Sequence, residues 1–238
     1  MPVTTTHPYL FTHHMETAEL ITETDPAPIS EPYGLFPFQD RTVEHLRDVR
    51  RCVVVAHGGF DRIAVTLALS AEALSDPTSE VQRVVILTTS ALVDAWDEVI
   101  QKVTDHEDIL LANRATTTGQ RWRNYAGVPA RWIVVPYTLL GADAAALLPM
   151  MANTMVIIDQ AHLVQNPNAQ RSVATQQLSV AANTTLMLMA PYFHYEREDW
   201  ARLLGLALDP TQAHTRQVER ISRAARVNVY DGSLLSIC

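Results

Sequence analysis

Hydrophobic residues along the chain follow two alternating patterns, short continuous apolar runs and longer stretches with helical spacing. Between the runs, apolar positions such as Val43, Leu46 and Val49 recur at intervals that place them on one helical face. Continuous β-branched and apolar runs are typical of strands buried on both faces. The runs are "RCVVVA", "RVVILTTS", "ARWIVVPYTLL", "TMVIID" and "TTLMLMAPY". The alternation predicts a single α/β domain with a mostly parallel central sheet and helices on both faces.

The first 32 residues do not share this alternation. They are rich in Thr, Pro, Glu and His, and "TETDPAPISEPYG" is typical of an extended linker. We therefore predict a flexible N-terminal arm over residues 1–32, with a short helix around Glu16–Ile21. The α/β domain then covers residues 33–210, and residues 211–238 form a C-terminal extension.

Composition and charge narrow the classes of function. The chain has 238 residues and a formal net charge of −8, so its surface would attract nucleic acid only through a local basic patch. No apolar run approaches the roughly 18 to 20 residues needed to span a bilayer. The N-terminus lacks the order of a signal peptide, and the two cysteines are too few for a disulfide framework. These features predict a cytoplasmic protein without a membrane partner.

A glycine pair follows the first strand and precedes a helix. Gly58 and Gly59 could form a phosphate cradle, in which backbone N–H groups and a helix N-terminus face the anion. The P-loop consensus ends in lysine and a hydroxyl residue, but Arg62 and Ile63 follow here. Arginine offers charge with a different reach, and isoleucine cannot bind magnesium. Taken alone, the pair is more typical of a structural turn.

The strand "TMVIID" ends in Asp159, which Gln160 follows. An aspartate at this place in nucleotide hydrolases organises magnesium, and the next residue is a glutamate that polarises the attacking water. Gln160 can hydrogen-bond a water but has no basicity with which to activate it. The structural alternative is an aspartate that caps the next turn.

Other candidate sites are weaker. Four arginines cluster in "NRATTTGQRWRNYAGVPAR", where Arg121 and Arg123 are candidate nucleic-acid contacts and a solvated loop is the plainer alternative. Ser90, which we expect to cap a helix, has no nucleophile elbow around it that would favour a hydrolase. The histidines of the arm lack further metal ligands nearby, which disfavours a metal site. The tryptophans lie at core spacing: Trp96, Trp122, Trp132 and Trp200.

Six segments, in order, resemble the first motor lobe of Swi/Snf-type members of helicase superfamily two. The most specific is "MVIIDQAHLVQNPNAQRSVA", which looks like the family's DEAH segment and its Asn-Pro tail. The other five are "PYGLFPFQDRTVEHL", "VVVAHGGFDRIAVTLAL", "RVVILTTSALVDAWDEVIQK", "WIVVPYTLL" and "TTLMLMAPYFHYEREDWARLLGLALDP". The resemblance implies a RecA-like, P-loop NTPase-type lobe over residues 33–210. It also implies ATP and magnesium as cofactors, with Gln39 at the adenine, Gly58, Gly59 and Arg62 at the phosphates and Asp159 at the metal.

The departures from the family pattern fall at its chemical positions. Arg62 stands at the phosphate lysine, Ile63 at the magnesium hydroxyl and Gln160 at the catalytic glutamate. The Thr-Gly-Thr-Pro coupling segment is replaced by residues 188–191. Asp159, Gln39 and the DEAH histidine, His162, are retained. Loss of the lysine and the glutamate together is expected to abolish useful hydrolysis.

These observations favour a catalytically degenerate helicase-like lobe that acts as a binding or regulatory module in nucleic-acid metabolism. Its implied partners are double-stranded DNA and a partner motor protein. The alternative is one half of a split DNA-dependent ATPase or translocase, completed by a second RecA-like lobe on a separate chain. An assembly role, as in a capsid, has no positive feature in the sequence.

Overall fold

One eight-stranded sheet organises the protein. The computed structural model describes residues 18–21, 33–56, 62–115, 117–189 and 234–237. The strands lie in the order β1-β8-β2-β7-β6-β3-β5-β4. The six adjacent strands β2-β7-β6-β3-β5-β4 pair in parallel. Strand β8 pairs antiparallel with both β1 and β2. The strands are β1 (Ala18–Ile21), β2 (Arg51–Ala56), β3 (Arg83–Thr88), β4 (Ile109–Leu111), β5 (Trp132–Pro136), β6 (Thr154–Ile158), β7 (Thr184–Met189) and β8 (Leu234–Ile237).

Helices cover both faces of the sheet, which confirms the predicted α/β class. Short 3-10 turns follow β3, β4 and β6 and join the fifth helix to β6. Among the described residues, none of the helices is long and apolar enough to cross a membrane. The helices are α1 (Pro37–Leu46), α2 (Arg62–Ser75), α3 (Val93–Ile100), α4 (Thr118–Gly127), α5 (Tyr137–Leu147) and α6 (Gln170–Ala181).

The continuous apolar runs are explained by two separate hydrophobic cores. Successive residues of a strand point to opposite faces of the sheet. In β3, Val85 and Leu87 therefore enter the core beneath α5 and α6, while Val84 and Ile86 enter the core beneath α1, α2 and α3. Every described residue of β5, β6 and β7 is buried. A strand that lacks a solvent face has no position for a polar residue, which is why alternation is missing from the sequence.

The prediction of a helix around Glu16–Ile21 is wrong for the described part of that segment. Ala18–Ile21 is strand β1, which pairs with Leu234–Ile237 of β8, and β8 in turn lies beside β2. Strand pairing with residues more than 200 positions away is decided by tertiary contacts. A local helical pattern of five or six residues is too short to predict such pairing.

Three predicted boundaries also need correction. The segment proposed as a solvated loop contains α4, whose Thr117 side chain accepts a hydrogen bond from the backbone N–H of Gln120 and caps the helix. The residues after Pro136, predicted as strand, begin α5 instead. Ser90 does not cap α3, because it starts a 3-10 turn and the α-helix begins at Val93.

A buried ionic cluster joins α4 to α5. The Nε of Arg121 donates to Asp143 Oδ2 over 2.5 Å, and its terminal nitrogen donates to Oδ1 over 2.9 Å. Tyr125 donates to the same carboxylate over 2.8 Å, and Trp122 donates over 3.3 Å. The side chains of Arg121 and Asp143 are only 8% and 0% exposed. A charge pair this deep is stable only because nearly every polar atom in it has a partner.

We predict that Arg121→Met lowers the free energy of unfolding by about 3–5 kcal/mol, because it leaves the Asp143 carboxylate buried without its counter-charge. Urea denaturation followed by circular dichroism measures the change. The matched control is Arg131→Met, since Arg131 also makes two hydrogen bonds to one aspartate, Asp108, but at the surface. That variant is expected to lose no more than about 1 kcal/mol. Equal losses in the two variants would contradict the structural role of the cluster.

Candidate functional site

Polar side chains gather where the parallel strands end. Thr88 is the last residue of β3, Asp159 follows β6, and Tyr137 and Thr138 follow β5. Arg62 begins α2, the helix that follows β2. In parallel α/β sheets this carboxyl edge is where ligands bind. The structure therefore brings Asp159 and Arg62, which are 97 positions apart in the sequence, to one edge of the sheet.

Asp159 is fixed at this edge by four hydrogen bonds. Its Oδ2 accepts from Thr88 Oγ1 over 2.8 Å and from Trp96 Nε1 over 3.1 Å. Its backbone carbonyl accepts from the Tyr137 hydroxyl over 2.6 Å, and its N–H donates to the Leu87 carbonyl over 2.9 Å. Asp159 is 3% exposed. The carboxylate is thus pre-positioned, with one oxygen already taken by two donors.

Sequence reasoning missed the three side chains that hold Asp159. Thr88, Trp96 and Tyr137 lie on three different elements, and nothing in their spacing links them to residue 159. The link is the strand order, which places β6 beside β3 and β3 beside β5. Trp96 was expected to be a packing residue. It is fully buried, and its indole N–H additionally supports the carboxylate.

Tyr137 is held in its protonated form. Burial raises the pKa of this phenol well above its ordinary value, and the negative charge of Asp159 raises it further. A phenol with a raised pKa remains a hydrogen-bond donor throughout the physiological range. Tyr137 therefore keeps its bond to the Asp159 carbonyl, which holds the backbone at the start of the turn.

Gln160 occupies a strained backbone position. Its φ of 52° and ψ of 52° lie in the left-handed region, and it is the only non-glycine residue with positive φ in the described ranges. For an L-residue with a Cβ this conformation costs roughly 1–2 kcal/mol. The carbonyl of Gln160 accepts from the N–H of Leu163 over 2.9 Å, which closes the turn. Strain of this kind is concentrated at functional sites.

His162 lies close enough to both Arg62 and Asp159 to interact with them electrostatically. Partial burial lowers the pKa of His162, the positive charge of Arg62 lowers it further, and the negative charge of Asp159 opposes both effects. His162 is therefore neutral at pH 7. The structure thus brings His162 near two other residues at the motif positions, Arg62 and Asp159. Gly58 and Gly59 lie outside the described residues.

Gln39 uses one end of its side chain within its own helix. Its Oε1 accepts from the N–H of Phe36 over 2.8 Å, which satisfies a free donor at the start of α1. Gln39 is 2% exposed, so its amide has a fixed orientation.

The two arginines proposed for nucleic acid differ in their environment. Arg121 is 7% exposed, and its guanidinium binds Asp143 and Thr118. Arg123 is exposed on the same helix. A guanidinium engaged in a buried ion pair is not presented to a phosphate, so of the two arginines only Arg123 is exposed to solvent. Trp122, which was expected to lie in the core, is 44% exposed. Trp200 lies outside the described residues.

A second group of polar residues lies at this edge, and of these only Ser90 was considered in the sequence analysis, as a helix cap. The hydroxyls of Ser90 and Thr138 lie 3.3 Å apart, at the ends of β3 and β5. A groove of about 470 Å³ begins at Thr138 and runs between the first turns of α5 and α6. Arg171 lines the groove, and its Nε donates to the Leu163 carbonyl over 2.7 Å. Hydroxyls, helix N-termini and an exposed arginine together form a surface suited to phosphate groups.

Comparison with solved structures places the chain among helicase folds. Over 88% of this chain and 43% of the other, it is similar to the SWI2/SNF2 ATPase core of Sulfolobus solfataricus in complex with dsDNA, with a TM-score of 0.60 and 13% identity. It is also similar to the Hef helicase domain of Pyrococcus furiosus over 71% of this chain and 35% of the other, with a TM-score of 0.58 and 15% identity.

The likeness is one of fold. No family model and no curated protein sequence matches the chain. At these identities the structural matches establish the fold alone, a RecA-like α/β fold like that of the two solved structures. The chain spans less than half of either solved chain.

The strain at Gln160 can be measured. We predict that Gln160→Gly raises the free energy of unfolding by roughly 0.5–1 kcal/mol, because the relief of left-handed strain exceeds the added entropy of the unfolded chain. The matched control is Gln165→Gly five residues later, where φ is −68° and no such strain exists. That variant is expected to be less stable than the wild type. Thermal unfolding of both variants tests this, and a loss of stability in Gln160→Gly would contradict it.

Proposed function

We propose that this chain is a catalytically degenerate helicase-like lobe that binds duplex DNA and does not hydrolyse ATP on its own. The observation that carries the proposal is the pair Asp159–Gln160 at the carboxyl edge. The aspartate is buried and held by its neighbours, as a functional carboxylate would be. The residue beside it, where a base would be needed, is an amide.

Three residues that hydrolysis requires are replaced here. A water that attacks a phosphoryl group must be oriented and deprotonated, and the Gln160 amide has no basicity for the second task. The charge that the transferred phosphate meets would come from Arg62, whose planar guanidinium differs in reach and geometry from the compact ammonium group of a lysine. Ile63 has no oxygen with which to bind a metal. Each loss alone would slow turnover by orders of magnitude.

Binding of ATP with magnesium is less affected than hydrolysis. Asp159 would supply the metal with its Oδ1, because Oδ2 accepts from Thr88 and Trp96. Magnesium in nucleotide sites is held by one or two carboxylates, phosphate oxygens and several waters, so one oxygen suffices for a weak site. Gln39 would recognise the adenine with its NH2 group. The bound cofactor would then act as a ligand that orders the site, with the phosphates neutralised by the metal.

Duplex DNA is the partner that the carboxyl edge fits. The similar SWI2/SNF2 core was solved with dsDNA, and the chain has a net charge of −8 that requires a local basic surface. At this edge, Asp159 accepts two donors and Asp94 is paired with Arg114, so described carboxylates are compensated. Arg171 and the hydroxyls of Ser90 and Thr138 remain to face a phosphate backbone.

A split motor is the second candidate. Asp159 and Gln39 are retained, and the chain covers 43% of the SWI2/SNF2 core. In this case a separate chain supplies a second RecA-like lobe and its arginines to the transferred phosphate. A partner of this kind would bring ATP turnover to the mixture that neither chain shows alone.

Nucleotide chemistry is tested by calorimetry and phosphate release with Mg-ATP. We predict weak binding that Asp159→Asn reduces at least tenfold, and no phosphate release above that of Asp159→Asn, with or without duplex DNA. The substitution keeps the size of the side chain and removes its charge, so circular dichroism should confirm an unchanged fold. DNA-stimulated turnover in the wild type that disappears in Arg62→Ala would overturn the degenerate assignment.

The DNA surface is tested by fluorescence anisotropy with a labelled duplex at several salt concentrations. We predict that Arg171→Ala weakens binding and reduces the slope of log affinity against log salt by about 1, as expected for one lost phosphate contact. The control is Arg50→Ala, because Arg50 is an exposed arginine paired with Glu80 at the start of β2, the opposite edge of the sheet. Equal effects of the two substitutions would place DNA elsewhere, and absence of binding by the wild type would reject DNA as the partner.

A further inference from the structure

The outer surface of α5 and α6 is almost free of charge. From Tyr137 to Asn183 the sequence contains only three Asp, Glu, Lys or Arg residues, namely Asp143, Asp159 and Arg171. Both aspartates are buried, so Arg171 in the first turn of α6 is the only exposed member of the three. The opposite helical layer is different. There, α1 and α3 expose acidic side chains: Asp40, Glu44, Asp94 and Glu98.

This uncharged surface is not flat, because exposed side chains project from it. Val173 and Val180 of α6 are 44% and 56% exposed and lie two turns apart, and together with the exposed, uncharged Gln176 and Gln177 between them they form a ridge on one face of the helix. Of the four large hydrophobic side chains that are exposed in the described ranges, these are two, and Trp122 on α4 is a third. Exposed apolar side chains gathered on one surface indicate a binding face more strongly than scattered ones do.

Helix α5 lies between these bulky side chains and forms a trough. Its outward positions hold small residues, Gly141, Ala142 and Ala145. A Cβ added at Gly141 would lie 3.1 Å from the Oε1 of Gln170, which shows how closely α5 and α6 approach there. The groove near Thr138 continues this depression at one end. A ridge of valines therefore lies beside a trough of small residues on the same face.

We propose that this face, made of the α6 ridge and the α5 trough, binds a second copy of the chain. In a two-fold arrangement, the ridge of each copy packs into the trough of the other, so that one surface serves both partners. Two-fold interfaces require such self-complementarity, since every contact occurs twice. Packing of ridges into grooves is also how helices ordinarily meet.

The charge distribution favours a second copy over other occupants. Two chains with a net charge of −8 repel each other wherever their acidic surfaces meet. On the α5–α6 face the described residues carry no exposed acid, so two copies can approach there without like-charge contact. A strongly charged partner would find no counter-charges on this face beyond Arg171. Interface cores are depleted of charged residues in the same way.

The extent of the face predicts a modest affinity. The 12 residues of α6 span about 18 Å, and α5 lies about 8–10 Å to its side. A surface of two helices and the flanking Trp122 is at the small end of specific interfaces, for which association in the micromolar range is typical. The dimer should therefore form and dissociate with concentration.

Sedimentation velocity of the full chain from about 1 to 200 µM tests the proposal. The wild type is expected to shift from monomer to dimer in this range, and Val180→Glu to weaken association at least tenfold. The matched control is Gln82→Glu, which adds the same negative charge at an exposed position at the start of β3, outside the proposed face. It should leave association unchanged. Thermal unfolding of each variant verifies that the fold is retained.

A third variant tests how the two copies fit. Ala145→Trp fills the trough without adding charge, and it should abolish the dimer if the ridge of the partner packs there. Undiminished association of this variant would overturn the arrangement. A wild-type chain that remains monomeric at the highest concentration would overturn the proposal itself, as would equal weakening by Gln82→Glu. None of these outcomes depends on DNA or nucleotide binding.

Discussion

The buried carboxylate of Asp159 is the constraint on which the carboxyl edge depends. A carboxylate with 3% exposure is tolerable only when its oxygens accept hydrogen bonds. Those bonds come from the end of β3 through Thr88 and from α3 through Trp96, while Tyr137 of α5 binds the adjoining carbonyl. One residue, through its side chain and its backbone carbonyl, thus ties together elements on both faces of the sheet. The turn that follows, including the strained Gln160, begins from a point that cannot shift.

The sequence predicted the parts of the fold that rest on local pattern. Apolar runs predicted the parallel strands because those strands are buried on both faces, and the helix expected after the glycine pair is α2, Arg62–Ser75. The sequence did not predict the elements that depend on contacts between distant residues. The pairing of β1 with β8 depends on residues at opposite ends of the chain, and α4 buries only Arg121 and Tyr125, too little to show a hydrophobic face.

The candidate site also has one part that the sequence predicted and another that it did not. Its position was predictable, because Asp159 ends an apolar strand and ligands meet the carboxyl ends of parallel strands. Its support was not, since Thr88, Trp96 and Tyr137 meet Asp159 only through the strand order β6-β3-β5. The fate of Arg121 also depended on a distant residue, Asp143, which draws the guanidinium into the protein. Residue type indicates what a side chain can do, and tertiary packing decides whether it is presented to a ligand.

The distribution of charge explains how one acidic chain can offer two different surfaces. Its exposed carboxylates on α1 and α3 belong to one helical layer, so they do not oppose a phosphate backbone at Arg171 or a neutral partner on α5 and α6. Beyond a Debye length of about 8 Å, those carboxylates are largely screened at physiological salt. Local composition therefore outweighs the net charge at each surface. In the proposed function the lobe acts through what it binds, so these two surfaces, which meet at Arg171, would carry its role in place of a catalytic centre.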